Sequence, residues 1–458
     1  MFTKRWHKAT LSPKQLAYIN AKTRTNVVVA GRRSFKTEGA KRRLIRAAVT
    51  FNSYADGMFW AAAPTHQQAK RIFWKDLKLL TPTWALKNGS RSISDSELTI
   101  QLINGAQINV VGLDKPERIE GKDWDGGVIT EFGRCKKTVF GENIRPMLMR
   151  GGYVDIEGVP EGRNHYYDLA MAVRQAQAEQ VDASEQRRFK NSSYHTWTTE
   201  EVLHLWLGKE RAAEEIAEAM ATLDTQVYNQ EYKAQFISFE GRAYYGFTDD
   251  NKGPCLYDPE RPLILAFDFN RSPGVCVYLQ ELPRERLPWL TRSRGQYATA
   301  VIGEVYIETG SNTPKVCERV LADWHNVHHG EVRLYGDPAG GAKTTQSIAG
   351  SDWDIIEEYL KPKFGRRLRN FVASGPPRIR TRVNAMNSRL LAADGSIAFV
   401  VDPSKAPKTV RDLEGVESDA AGDLIKESGG PLTHLTDAIG YYMHEEHPVS
   451  GPSMKVRY

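Results

Sequence analysis

The sequence predicts an α/β protein of two domains, on three observations. A β-branched run, Val27-Val28-Val29-Ala30, breaks into a loop of glycine and polar residues and then into a helical stretch. Short apolar runs, each stopped by a polar turn, recur at Met58 to Ala63, Gly126 to Glu131 and Tyr153 to Ile156, the pattern of parallel strands buried on both faces. From residue 263 a second set of strands begins, with carboxylates of its own. At 458 residues the chain is too long for one ordinary core, so two domains, or two plus a linker region, is the expectation.

An apolar content of 41% with 10 tryptophans supports real cores. The net charge is only +6, but many of the 62 Lys and Arg residues cluster, at Arg42-Arg43, Arg187-Arg188, Arg366 to Arg369 and Arg378 to Arg382. Such clusters suit a polyanion, although solvated helix faces explain any one of them as well. Cys135, Cys255, Cys276 and Cys317 form no C-x-x-C pair, and Met1 to Arg5 do not read as a signal peptide. A reducing cytoplasm is expected and a structural zinc site is not. No apolar run is long enough to span a bilayer, so no membrane is expected.

Ser12-Pro13-Lys14-Gln15 starts a helix, with serine capping and proline in the first turn, and Gln15 is the candidate to reach an adenine. The stretch Gly31-Arg32-Arg33-Ser34-Phe35-Lys36-Thr37 reads as a phosphate-binding loop. The helix from about Thr37 to Ala48 would aim its free amides and dipole at an anion. Lys36 would reach the β- and γ-phosphates of ATP, and Thr37 would offer its hydroxyl to Mg²⁺. Phe35 stands where the G-x-x-x-x-G-K-[ST] pattern has glycine, and a side chain there is expected to force a different backbone angle. A basic strand-to-helix turn with Lys36 merely solvated is the competing reading of this stretch alone.

Met58 to Ala63 is the second strand, stopped by Pro64-Thr65 before a helix with Gln67, Gln68 and Lys70. Leu98 to Leu102 and Gln107 to Val111 flank Asn104-Gly105 as a hairpin. Arg118 lies between Glu117 and Glu120, a candidate to reach a neighbouring subunit's γ-phosphate or to pair locally. The next strand delivers Glu131 at its end, where a motor ATPase keeps the carboxylate that orients the attacking water. Thr130 stands where an aspartate usually holds Mg²⁺ through water. Residues 166–245 read as helices, at Leu169 to Val181, Thr199 to Leu207 and Lys209 to Ala221. The expected domains are 1–165, a P-loop-type parallel-sheet core; 166–250, a helical lid or linker; and 251–458.

In the last of these, Leu263 to Phe269 carries Asp268 out of an apolar run, a costly place for a carboxylate unless a cation or donors meet it. Val275 to Leu279 and Ala300 to Ile307, with Glu304, complete a meander. Val332 to Gly336 then ends in Asp337, and a final helix carries Asp437 in its first turns. Arg378, Arg380, Arg382, Asn384 and Asn387 are candidates to contact phosphates near that centre.

Gly31-Arg32-Arg33-Ser34-x-Lys36-Thr37, Ala63-Pro64-Thr65 with Gln68-Ala69, Ile129-x-Glu131, Ile144-Arg145-Pro146 and Gly158-x-Pro160-x-Gly162-x-Asn164-His165-x-Tyr167 resemble, in order and spacing, the ATPase half of the large terminase subunit of tailed bacteriophages. The family's coupling motif ends its strand in Ser/Thr-Thr-Pro. Glu157-Gly158-Val159-Pro160 departs from it, so the coupling role is not carried over to Glu157. The second set of strands resembles the RNase H-like nuclease half, the resemblance spanning roughly residues 12–445. It implies catalytic roles for Lys36, Arg118, Glu131, Asp268, Asp337 and Asp437, and nucleotide contacts from Gly31, Arg32, Arg33, Ser34, Lys36, Thr37 and Gln15. Two Mg²⁺ or Mn²⁺ ions about 4 Å apart would neutralise Asp268, Asp337 and Asp437, which otherwise repel one another, with Glu304 as the uncertain fourth ligand. Double-stranded DNA, the small terminase subunit and the procapsid portal are the implied partners, with a ring formed on docking, in the host cytoplasm and not in the mature virion. A helicase-nuclease, and a structural or regulatory protein with a degenerate ATPase site, remain as alternatives.

Overall fold

A computed structural model describes residues 10–149, 151–162, 164–177, 189–238, 240–269, 273–293, 295–341, 351–419, 422–426 and 432–449. The chain divides into two compact units, residues 1–216 with 229–237, and residues 217–228 with 238–458. Among the described residues no helix is long and apolar enough to cross a membrane.

The first unit is built on an eight-stranded sheet. Its strands are β1 (Thr25–Ala30), β2 (Met58–Ala63), β3 (Ile93–Ser94), β4 (Thr99–Gln101), β5 (Gln107–Gly112), β6 (Gly126–Ile129), β7 (Tyr153–Gly158) and β8 (Ser192–Trp197), in the order β3-β4-β5-β2-β6-β7-β1-β8. The six strands from β5 to β8 are parallel, and the β4–β5 hairpin closes one edge in antiparallel fashion. Alternation along β1 explains its unbroken apolar run: Val28 and Ala30 enter one core layer, Val27 and Val29 the other. The unusual Gly126-Gly127 pair in β6 has a packing cause. A Cβ on Gly127 would lie 2.1 Å from the buried Trp60 indole, so only glycine lets β2 and β6 keep their register.

Helix α1 (Pro13–Ile19) has the expected Ser12 capping box, and α2 (Lys36–Val49) follows the loop. Helix α3 (His165–Ala176) ends before residues 178–188, so the last residues of the helix expected to reach Val181, and the Arg187-Arg188 pair, lie outside the described residues.

The expectation of helices alone over 166–245 is corrected by β8. Ser192 to Trp197 pairs along the whole of β1 as a parallel edge strand. Its Tyr-His-Thr-Trp run has the aromatic and β-branched content of a strand, but only one of its six residues is fully buried, so no apolar run marks it.

The second unit holds a six-stranded sheet: β9 (Leu263–Asp268), β10 (Gly274–Pro283), β11 (Tyr297–Ile307), β12 (Val332–Gly336), β13 (Leu368–Asn370) and β14 (Phe399–Val401), ordered β13-β12-β9-β10-β11-β14. The expected meander is β9-β10-β11, antiparallel throughout, and β12 lies parallel on the other side of β9. Helices α4 (Thr313–Trp324) and α5 (Asp352–Phe364) share one core layer with Leu263, Leu265 and Phe267. Helices α6 (Ile379–Leu390), α7 (Pro407–Gly415) and α8 (His434–Glu446) share the other with Ile264 and Ala266.

A polar knot ties the far end of α8 to the sheet. Glu281 accepts from the Thr299 and Tyr442 hydroxyls and from His447 Nε2, and pairs with Arg389 at 3.5 Å. Burial pushes the Glu281 carboxyl up, but His447, Arg389 and Thr299 outweigh it and hold it at about 2. A depressed folded pKa stabilises above the unfolded value of about 4.3 and ceases to do so as pH falls through the folded one. Glu281→Gln should therefore remove a component of stability present at neutral pH and fading between about pH 4 and pH 2. Acid unfolding followed by circular dichroism checks this, and identical acid midpoints for parent and variant would contradict it.

Candidate functional site

The loop after β1 is clamped from several sides. Gly31 donates to the Trp197 carbonyl, and a Cβ on it would meet Thr199 Oγ1 at 2.3 Å. The Thr199 hydroxyl donates to the Arg32 carbonyl at 2.7 Å, and Arg32 Nε pairs with Glu231 at 2.5 Å. The Ser34 carbonyl accepts from Trp197 Nε1 at 2.8 Å and from Gln15 Nε2 at 2.9 Å. Gln15 Oε1 accepts from the Ser12 amide, and the residue is 2% exposed. Its Nε2 thus braces the loop and its Oε1 closes the capping box of α1, where the sequence suggested a contact to adenine. Arg33 is exposed, in a left-handed conformation at φ 55°.

Phe35 does not force a different backbone angle. It takes the left-handed φ of 70° that the expected glycine would supply, and its ring stacks on Trp206 at 4.5 Å with the Arg42 guanidinium 5.7 Å above it. Left-handed backbone costs a non-glycine residue about 1–2 kcal/mol, and the aromatic stack offsets about 0.5–1.5 kcal/mol of that.

Lys36 begins α2, is buried, and donates to the Gly31 carbonyl at 3.3 Å. Burial lowers its pKa, opposed by Glu157, Glu131 and Glu231 in that order. Glu131 follows β6 in a left-handed turn at φ 53°. Asn164 Nδ2 donates to the Gly133 and Glu161 carbonyls, His165 Nε2 lies 3.1 Å from the Phe132 carbonyl, and the Tyr166 hydroxyl donates to the Val28 carbonyl at 2.6 Å. The Asn164-His165-Tyr166 run therefore fixes the Glu131 turn against β1. Arg118 lies on the short 3₁₀ turn Pro116–Ile119, and its side chain is outside the described residues.

The residue that sequence reasoning set aside stands at the centre. Glu157, near the end of β7, is fully buried, and neither carboxylate oxygen makes a well-formed hydrogen bond. Burial pushes its pKa up to about 7, against the pull of Lys36 and of the Thr37 and Thr130 hydroxyls, with Glu131 adding to the rise. The Ser34 hydroxyl is likewise buried without a partner. Carboxylate and hydroxyl oxygens beside a buried lysine and a helix N-terminus would suit a nucleotide polyphosphate with its divalent cation, so the residues present fit that pair. The signal was in the sequence: carboxylates at 155 and 157 alternate with Val154 and Ile156 inside a buried strand.

In the second unit, strand parity decides which carboxylates share a face. Asp268 follows Ile264 and Ala266, Asp337 follows Tyr335, and Glu304 lies opposite Val277, all on the face that α8 covers. Phe267 pairs with Gly336, so Asp268 and Asp337 leave their parallel strands side by side. Asp437 faces them from α8: Tyr441 has its phenol raised by burial first, and the charges of Asp337, Asp437 and Asp268 all add to the rise against Arg382.

As they stand, the three are held by protein groups. Asp437 pairs with Lys426 at 2.5 Å and Arg382 at 3.3 Å, Asp268 lies 3.1 Å from His434 Nδ1, and Asp337 accepts from the Ala339 amide at 2.8 Å. Glu304 caps α7, accepting from the Lys408 and Thr409 amides at 2.8 and 2.7 Å, two strand spacings or roughly 10 Å from β9. Among the described residues no group of three or more His, Cys, Asp or Glu is placed to hold a metal ion. The oxygen-only donor set suits a hard cation, but in this arrangement lysine and arginine take its place. A cleft of about 420 Å³ opens beside Asp268, lined also by Phe269, Ser311, Thr313 and Asp352.

The sequence matches no protein-family model and no curated protein. Solved structures do match. The large terminase of a thermophilic bacteriophage is 12% identical and superposes with a TM-score of 0.55, over 95% of this chain and 99% of that one. The same phage terminase in complex with ATP-gamma-S gives 14% identity and a TM-score of 0.53, with the same coverage. This likeness is one of fold, an α/β chain with two sheets, and covers 95% of this chain. In fold, 95% of the chain is similar to the large terminase of this thermophilic bacteriophage.

Proposed function

We propose that this protein is a viral DNA-packaging motor, which hydrolyses ATP to drive double-stranded DNA into a procapsid and cuts concatemeric DNA with a second, metal-dependent site. The observation that carries the ATPase half is the cluster of the buried Lys36 and Glu157 with the half-buried Thr37 and Glu131 at one edge of the parallel sheet. The terminase of the thermophilic phage, so similar in fold, was solved with ADP and with ATP-gamma-S, which supports reading this edge as a nucleotide site.

In this reading the loop amides and Lys36 hold the β- and γ-phosphates and stabilise the charge that spreads over the transferred group. Glu131 orients the attacking water from a turn that Asn164 and His165 keep rigid. Arg118 acts on a neighbouring subunit's γ-phosphate. Mg²⁺, when bound, neutralises the phosphate oxygens; Thr37 offers its hydroxyl to it.

The nuclease half is read from Asp268, Asp337 and Asp437 on one face, which would hold a divalent ion that activates water for cleavage of the DNA backbone. The partners are double-stranded DNA, the small terminase subunit and the portal, the ring forms on docking, and the work is done in the host cytoplasm.

The test is encapsidation. Full-length protein, procapsids, linear duplex and ATP should render the DNA resistant to an added nuclease. Unwinding of the duplex without protection would favour a helicase-nuclease instead.

A further inference from the structure

Glu157 is buried in a state that carboxylates rarely occupy. Asp155, two residues earlier on the same face of β7, shows the satisfied case, with Arg43 Nε at 3.0 Å, the Tyr18 hydroxyl at 3.1 Å and Asn26 Nδ2 at 2.8 Å. Glu157 has no solvent exposure and no well-formed hydrogen bond on either oxygen. The Lys36 amine, whose field reaches it, donates to the Gly31 carbonyl instead. A buried carboxylate with only two loosely placed hydroxyls beside it is costly to ionise, and a cation that reached it would offset that cost.

The missing partner can be named by chemistry. Around the Glu157 carboxylate stand the hydroxyls of Thr37 and Thr130 and the charge of Glu131, an oxygen-rich set with no histidine or cysteine among its named neighbours. Hard oxygens of this kind suit Mg²⁺, which binds through one or two carboxylates together with substrate phosphates. Position 130, just after β6, carries threonine and so supplies no charge. In the order β6-β7-β1, however, β7 lies between the strand that delivers Glu131 and the strand that feeds the phosphate loop. A carboxylate at the end of β7 therefore faces the same space from one strand over.

We propose that Glu157 holds the divalent cation of the bound nucleotide, so that the cation-binding carboxylate has moved from β6 to β7. The inference rests on the nucleotide reading above and goes beyond it, because it makes the Thr130 site intact rather than degenerate.

The experiment measures ATP-gamma-S binding to the full chain by calorimetry, with and without Mg²⁺, and Mn²⁺ binding in the presence of ATP-gamma-S by paramagnetic resonance. Glu157→Gln should lose about tenfold or more of the Mg²⁺-dependent tightening while binding ATP-gamma-S in the absence of Mg²⁺ at least as well as the parent. Adding Thr130→Asp to Glu157→Gln should restore the Mg²⁺ dependence and the Mn²⁺ signal. A Glu157→Gln protein that keeps the parent's Mg²⁺ dependence overturns the proposal. So does one that fails to fold, since in this proposal burying the Glu157 carboxylate without a cation costs stability. A parent chain that binds no ATP-gamma-S under either condition is a separate result, the failure of the nucleotide reading itself.

Discussion

Lys36→Ala should abolish ATP hydrolysis, lowering turnover by about 10²-fold or more, and leave DNA cleavage at the parent rate. The size follows from what the amine does: in a buried site where desolvation lowers its pKa and the charges of Glu157, Glu131 and Glu231 oppose that, its protonated form stabilises phosphate charge where water cannot screen it. Glu131→Gln should cost about 10²–10⁴-fold, the range for a positioned group that handles the attacking water's proton. Cleavage should survive both, because the acidic face belongs to a separate unit with its own core layers, and distant sites behave additively. Phosphate release and plasmid nicking measured on the same preparations check both halves. Hydrolysis at the parent rate in either variant would remove the phosphate-loop assignment.

Asp268→Asn, Asp337→Asn and Asp437→Asn should each reduce Mn²⁺- or Mg²⁺-supported nicking by more than about 100-fold, beyond the usual cost of losing a mere outer partner of a metal site. Their effects on stability should differ in sign. Like-charge repulsion alone would make every neutral variant more stable, but Asp437 is paired with the buried Arg382, so Asp437→Asn should cost about 3 kcal/mol. Burial and the field of Asp437 already disfavour charge on Asp268, so Asp268→Asn should leave the protein as stable or more stable. Glu304→Gln should weaken α7 through its lost cap by about 1 kcal/mol while sparing most of the nicking. Denaturant unfolding and nicking on the four variants test this pattern, and nicking that survives all three aspartate changes would overturn the nuclease reading.

Much of the fold was legible because both sheets announce themselves by burial. Val27 to Ala30 and Leu263 to Phe267 are continuous apolar runs because each is covered on both faces. β8 was not legible, because a polar edge strand draws its stability from pairing with β1 and not from its own apolar content. Lys36 and Thr37 open a helix and Glu131 follows a strand, as the local pattern predicts, so their places in the fold were legible whatever their roles. Glu157 was set aside because its motif departs from the expected coupling sequence, and only the strand order shows that β7 lies between β6 and β1. Gln15 illustrates the reverse: its position before the loop is as expected, but its amide is engaged on Ser12 and Ser34, a fact of three dimensions. Lys426 and Arg382 on Asp437 were equally hidden, 11 and 55 residues away in sequence.

If the parallel-sheet unit is an ATPase harnessed to packaging, steady-state ATP turnover by the full chain should be slow alone and rise markedly with assembled procapsids and duplex DNA. Lys36→Ala should show no turnover in either condition. Turnover that is absent with procapsids, or unchanged by them, would contradict that reading.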